Sequence, residues 1–186
     1  AKLHGMGIAL ITPFKADKSI DFKALATLID YQIMNGADYL VVLGTTAETP
    51  TLTTEERREV REFVANRVNG RVPLVLGLGG NSTTAVVEEL KNTDLSSFCA
   101  ILSVTPYYNK PSQEGLFQHY KMISEASPRP IILYNVPGRT GVNMTAETTL
   151  RIASTCENVI AIKEASGNMS QMDEIIKRKP SDFMVI

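Results

Sequence analysis

What most constrains this chain is a repeat of two alternating patterns. Short apolar runs stand at 7–12, 39–43, 72–76, 99–104, 130–134, within 158–167 and at 183–186, and a helix-forming stretch follows each of the first six. Runs that are apolar throughout suit parallel strands covered on both faces, and amphipathic helices between them supply the cover. The helices announce their starts. Asp21 precedes Phe22, Leu25, Leu28, Ile29 and Ile33 at helical spacing, with Gly36 as the stop. Thr53 and Glu56 make a capping box ahead of Val60, Phe63, Val64 and Val68, which stops at Gly70. Ser82 and Ser112 open the next two helices, and a further one is predicted over about 145–153. Ser170 or Asn168 starts the last, which Pro180 ends.

Two architectures fit this alternation, a doubly wound sheet and a (β/α)8 barrel. The first strand–helix turn, Pro13-Phe14-Lys15, carries no G-x-G-x-x-G and disfavours a dinucleotide-binding sheet. Seven regular units without a change of pattern favour the (β/α)8 TIM barrel. Such a barrel takes eight strands and about 250 residues. The expectation is therefore that residues 1–186 form one incomplete barrel domain, truncated within the seventh strand, with the last units and a C-terminal helical region absent.

Composition excludes several function classes. A net charge of -1, from 19 basic and 20 acidic residues, gives no electrostatic case for nucleic acid or an anionic membrane. No apolar run approaches the ~20 residues of a spanning helix, and the N-terminus lacks a signal-peptide pattern. Cys99 and Cys156 read as small buried hydrophobes in a reducing compartment, so a cytoplasmic protein is expected. His4 and His119 are too few and too separated for a metal cluster.

Reactive side chains collect behind particular strands: Thr45 and Thr46, Tyr107 and Tyr108, Tyr134 and Arg139, and Lys163. In a (β/α)8 barrel these positions share the C-terminal face, where such active sites are built. The segments ahead of the strands hold no comparable set. Lys163 is the centre of interest. Strand alternation puts Val159, Ala161, Lys163 and Ala165 on one side, with Ile160 and Ile162 on the other. An inward amine kept from water loses its proton more readily and can form a Schiff base. By itself the decapeptide also fits a strand-end lysine that snorkels to water. Each partner has an ordinary reading too: a core tyrosine, a solvated loop arginine, threonines capping a turn. Gly77, Gly79 and Gly80 resemble a phosphate nest only weakly, with no Lys-Ser/Thr behind them, and read as a turn.

Four segments carry a resemblance: Gly44-Thr45-Thr46, 104–115 with its Thr-Pro-Tyr-Tyr-Asn, 134–141 (Tyr-Asn-Val-Pro-Gly-Arg-Thr-Gly), and Ile162-Lys163-Glu164-Ala165. In order and spacing the chain from Gly5 onward resembles the dihydrodipicolinate synthase family of class I, pyruvate-dependent aldolases. The resemblance implies condensation of pyruvate with L-aspartate 4-semialdehyde on the way to diaminopimelate and lysine. Lys163 would form the Schiff base, so no separate cofactor is implied. Tyr134 would shuttle protons in a relay with Thr45 and Tyr108; Thr46 would hold the pyruvate carboxylate and Arg139 that of the semialdehyde. It further implies a homo-oligomer, a tight dimer or tetramer, in which the tyrosine matching Tyr108 comes from a neighbouring subunit. N-acetylneuraminate lyases and 2-keto-3-deoxy-sugar aldolases share the lysine but usually lack the arginine, so Arg139 and Thr45-Thr46 favour the synthase. A non-catalytic barrel fragment is the third reading. Ala47 stands where the family has glycine, which strains the turn if that position needs positive φ. Thr54, Arg57 and Ala85 replace the histidines and glutamate of lysine-inhibited relatives, so weak or absent lysine feedback is expected.

Overall fold

The computed structural model describes residues 3–186. The chain divides into two compact units, Ala1–Gly77 with Ser96–Cys99, and Leu78–Leu95 with Ala100–Ile186.

In the first unit, strands β1 (Gly7–Ala9), β2 (Tyr39–Val42) and β3 (Leu74–Gly77) pair in parallel, with Ile8 beside Leu40 and Val41 beside Val75. Helix α1 (Phe22–Met34) joins the first two and α2 (Thr54–Val68) the next two. Asp21 accepts the Ala24 N–H at 2.9 Å, leaving Leu25 and Ile29 to bury their side chains. The capping box is formed in both directions, Thr53 N–H to Glu56 at 2.8 Å and Glu56 N–H to Thr53 Oγ1 at 3.2 Å. Each bond satisfies a donor that the first helical turn leaves free. Val60, Val64 and Val68 form the buried stripe of α2, whereas Phe63 is half-buried and meets Phe22 with ring centroids 4.9 Å apart. The first strand is shorter than the 7–12 expected. Beyond Ala9 the Leu10 N–H still reaches the Val41 carbonyl at 3.0 Å, and the Thr12 hydroxyl donates to the Ala47 carbonyl at 2.8 Å.

In the second unit, β4 (Ala100–Val104), β5 (Ile131–Asn135), β6 (Val159–Glu164) and β7 (Met184–Val185) pair in parallel in sequence order. Helices α3 (Thr83–Asn92), α4 (Gln113–Ala126), α6 (Ala146–Thr155) and α7 (Met169–Arg178) accompany them, capped by Ser82, Ser112, Thr145 and Asn168. The last start was open between two residues. Asn168 takes it, accepting the Gln171 N–H at 3.1 Å. A single helical turn, α5 (Pro137–Thr140), was not anticipated. Proline at its first position and left-handed Gly141 behind it (φ 73°) make so short a turn possible.

One expectation about β6 needs correcting. The register with β5 slips between Ile131 and Ile132, which pair with Val159 and Ala161 respectively. Ile131 and Ile132 are successive and point to opposite faces, and register partners in a parallel sheet share a face. Val159 therefore lies opposite Ala161 rather than beside it, and Ile160 is the extra residue of a bulge. From Ala161 onward the alternation is as read, so Ala161 and Lys163 keep a common face.

Candidate active site

Lys163 pairs in register with Tyr134, and Tyr134 with Val104, so the three share one face at the ends of β6, β5 and β4. Tyr134 is buried and Lys163 half-buried. The lysine Nζ stands over the Tyr134 ring, 4.6 Å from its centroid, within reach of the ring's negative face. Among the described residues no carboxylate pairs with Nζ and no hydrogen bond engages it. The amine is neither tied up in an ion pair nor free to extend fully into water.

The next residue on each strand behaves in the opposite way. Asn135 pairs with Glu164, facing away from Lys163, and both are buried. Asn135 Nδ2 donates to the two carboxylate oxygens at 3.0 and 3.2 Å, Gln171 Nε2 donates at 3.0 Å, and the Ser166 N–H at 2.8 Å. Asn135 Oδ1 accepts the Met144 N–H at 2.9 Å, and Asn143 Nδ2 donates to Gln171 Oε1 at 2.9 Å. Sequence reasoning missed this set. The signal was available as a second polar pair, Tyr134-Asn135 and Lys163-Glu164, at the same step of two apolar strands.

Arg139 is exposed on α5, and its guanidinium has no hydrogen bond or ion pair among the described residues. The turn presenting it is pinned from below by buried Thr140, whose hydroxyl donates to the Val142 carbonyl at 3.0 Å. The loop after β4 leans on the same turn through Tyr108 N–H to the Thr140 carbonyl at 3.3 Å. Tyr108 itself is 89% exposed, with a left-handed backbone at φ 72°. A large residue adopts that conformation at a cost, and such strain gathers where loops serve a site. Tyr107 is less exposed, and its carbonyl accepts from Asn81 Nδ2 at 3.2 Å. The second unit thus brings Lys163 and Tyr134 together, and seats the Tyr108 loop against the Arg139 turn.

In the first unit, Thr45 and Thr46 are exposed in a 3₁₀ turn, Thr45–Ala47, directly behind β2. The strain expected at Ala47 is not there. Left-handed residues are instead Leu43 (φ 55°) and Glu48 (φ 57°), one on each side of the turn. Gly77 makes the first possible: a Cβ there would lie 2.2 Å from the Leu43 carbonyl oxygen. Gly77, read from sequence as part of a turn, is instead the last residue of β3 and allows a close backbone approach. Among the described residues no cluster of His, Cys, Asp or Glu could hold a metal ion, and no helix is long and apolar enough to cross a membrane.

Over residues 2–186 the sequence matches the family described as the dihydrodipicolinate synthetase family. It is 67% identical over 184 residues to the 4-hydroxy-tetrahydrodipicolinate synthase of Parabacteroides distasonis, covering 99% of this chain and 62% of that relative. The solved structures that match include the 4-hydroxy-tetrahydrodipicolinate synthase of Methylacidiphilum fumariolicum SolV, with a TM-score of 0.94 and 38% identity over 100% of this chain and 61% of that one. A structure described as the first monomeric dihydrodipicolinate synthase variant matches with a TM-score of 0.93 and 44% identity, over 97% of this chain and 61% of its own. The fold is that of a (β/α)8 barrel followed into its seventh strand, and the chain spans about 62% of the length of such relatives.

Proposed function

The chain belongs to the dihydrodipicolinate synthetase family, and on that premise we propose that it forms the Schiff-base half of a 4-hydroxy-tetrahydrodipicolinate synthase. The substrates are pyruvate and L-aspartate 4-semialdehyde. The Lys163 amine adds to the ketone carbon of pyruvate and water leaves, giving an iminium. Loss of a methyl proton gives the enamine, whose carbon attacks the semialdehyde's aldehyde and forms the new C–C bond. The semialdehyde's own amine then adds to the iminium carbon, closing the ring and releasing Lys163. No cofactor enters, because the lysine itself supplies the electron sink.

In this reading Tyr134 carries protons to and from the reacting atoms, relayed through Thr45 and Tyr108. Thr46 holds the pyruvate carboxylate. Arg139 grips the semialdehyde carboxylate through two parallel N–H donors, for which its unpaired guanidinium is available. The exposed ring of Tyr108 is free to reach a second copy of the chain, which supports a homo-oligomeric enzyme. Cysteines held as thiols, as at Cys99 and Cys156, suit a cytoplasmic biosynthetic protein.

One observation carries the proposal: a half-buried lysine without an ion-pair partner among the described residues, at 4.6 Å over a buried tyrosine ring. Borohydride reduction with pyruvate tests it, in a polypeptide of the relatives' full length that contains these residues. A reduced pyruvyl adduct mapped to Lys163 is expected, and its absence from folded protein overturns the assignment. Rates of semialdehyde condensation compared with cleavage of sialic or keto-deoxy sugars then separate the synthase from its sister aldolases.

A further inference from the structure

Glu164 presents a problem that packing alone does not solve. It is 7% exposed, yet among the described residues no cation pairs with it. A buried carboxylate is costly unless hydrogen bonds replace its lost water, and an apolar side chain would fill the same space more cheaply. Here the compensation comes from three separate segments. Asn135 donates from β5, Gln171 from α7, and the Ser166 N–H from the turn that ends β6. Each group that hydrogen-bonds the carboxyl oxygens among the described residues does so as a donor.

Two of those segments, the ends of β5 and β6, are the ones that carry the candidate chemistry. Asn135 directly follows Tyr134, and Glu164 directly follows Lys163. Asn135 also accepts the Met144 N–H, tying in the stretch that leads away from the Arg139 turn. We propose that Glu164, gripped by Asn135 and Gln171, is a positioning residue that holds Lys163 and Tyr134 in reacting register. This rests on Lys163 being the Schiff-base lysine. The carboxylate lies on the far side of the strands from Nζ, so it acts through the backbone at 134–135 and 163–166, without touching substrate. Two side chains on opposite faces of one strand end move together when that end shifts.

Glu164→Gln tests the idea with little change of size. An amide turned into this nest must set its own NH₂ against at least one donor, which loosens the grip without emptying the site. In the family-length polypeptide, formation of the borohydride-trapped adduct at Lys163 is expected to slow by about 10- to 100-fold per folded molecule, the scale of a misplacement near 1 Å. The pyruvate KM should move far less than kcat, and Glu164→Asp, which keeps the charge, should recover part of the rate. A Glu164→Gln protein that is less stable but labels at the wild-type rate overturns the proposal. Should that variant fail to fold, Gln171→Met removes one donor from a more distant helix; several-fold slower labelling supports the proposal and wild-type labelling overturns it. Pyruvate labelling some other lysine in the wild-type protein overturns the Lys163 reading and the positioning role with it. Normal labelling of Lys163 beside an unaffected Glu164→Gln overturns only the second.

Discussion

Two faces of the same strand ends differ sharply in how their polar groups are satisfied. On one, Glu164 accepts from Asn135, Gln171 and the Ser166 N–H, while Asn135 Oδ1 accepts the Met144 N–H. On the other, one residue earlier on each strand, the Lys163 amine stands over the ring of Tyr134 with no hydrogen bond or ion pair among the described residues. The first arrangement spends its donors and acceptors on internal order. The second leaves an amine and a phenol uncommitted in a place that order has made rigid. A reactive group needs both conditions, since a lysine locked in an ion pair is a poor nucleophile and one on a loose strand is poorly aimed.

Removing the uncommitted amine should have the largest consequence. Lys163→Ala is expected to lower turnover by ~10³-fold or more and to abolish the pyruvate adduct. Melting temperature should change little, because no hydrogen bond or ion pair is lost with the amine. A variant that retains substantial turnover would break the contrast outright. Tyr134→Phe keeps the ring under Nζ and removes only the hydroxyl. We expect kcat to fall by about 10²- to 10⁴-fold, the usual range for a lost acid–base group. Adduct formation measured separately from turnover shows which proton transfers pass through the phenol.

Arg139→Ala sharpens the contrast in another way, because Arg139 is uncommitted but exposed and sits on its own helical turn. The semialdehyde KM should rise by about 10- to 100-fold, as charge-assisted hydrogen bonds to a carboxylate are lost. Labelling of Lys163 by pyruvate should stay at the wild-type rate. A variant that impaired labelling equally would show that Arg139 serves the first substrate instead.

The uncommitted face was legible from sequence and the committed face was not. Lys163, Tyr134 and Arg139 stand out because a charged or phenolic residue at the end of an apolar run has no local explanation. Helix starts were legible for a related reason: Asp21, Thr53, Ser82 and Ser112 cap through bonds to residues three positions on. Asn135 and Glu164 explain each other only once β5 and β6 are in register, and register is not a local property. The bulge at Ile160 belongs to the same class. It arises from pairing with β5, and it inverted the expected relation of Val159 to Ala161. At Leu43, a leucine carries no turn signal. Its left-handed backbone depends on the room that Gly77 leaves, more than thirty positions along the chain.

Saturation of the helix-covered face is itself incomplete, and His119 on α4 is where this can be measured. It is buried, its Nδ1 meets Thr83 Oγ1 at 2.8 Å, and its Nε2 has no partner among the described residues. Burial pushes its pKa down to about 4. An unfolded histidine titrates near 6.5. Between those values the unfolded chain binds the proton and the folded chain does not, so acid favours unfolding. The contribution of this residue is constant above pH ~6.5 and falls as the pH drops toward 4, by about 2 kcal/mol at pH 5. Urea midpoints at pH 7 and pH 5 should therefore differ more in the wild-type protein than in His119→Phe, which cannot take up a proton. Carboxylates elsewhere titrate in both proteins and cancel in the comparison. Equal pH sensitivity in the two would mean that the folded protein accommodates a proton on Nε2, and that this face is as well satisfied at His119 as it is at Glu164.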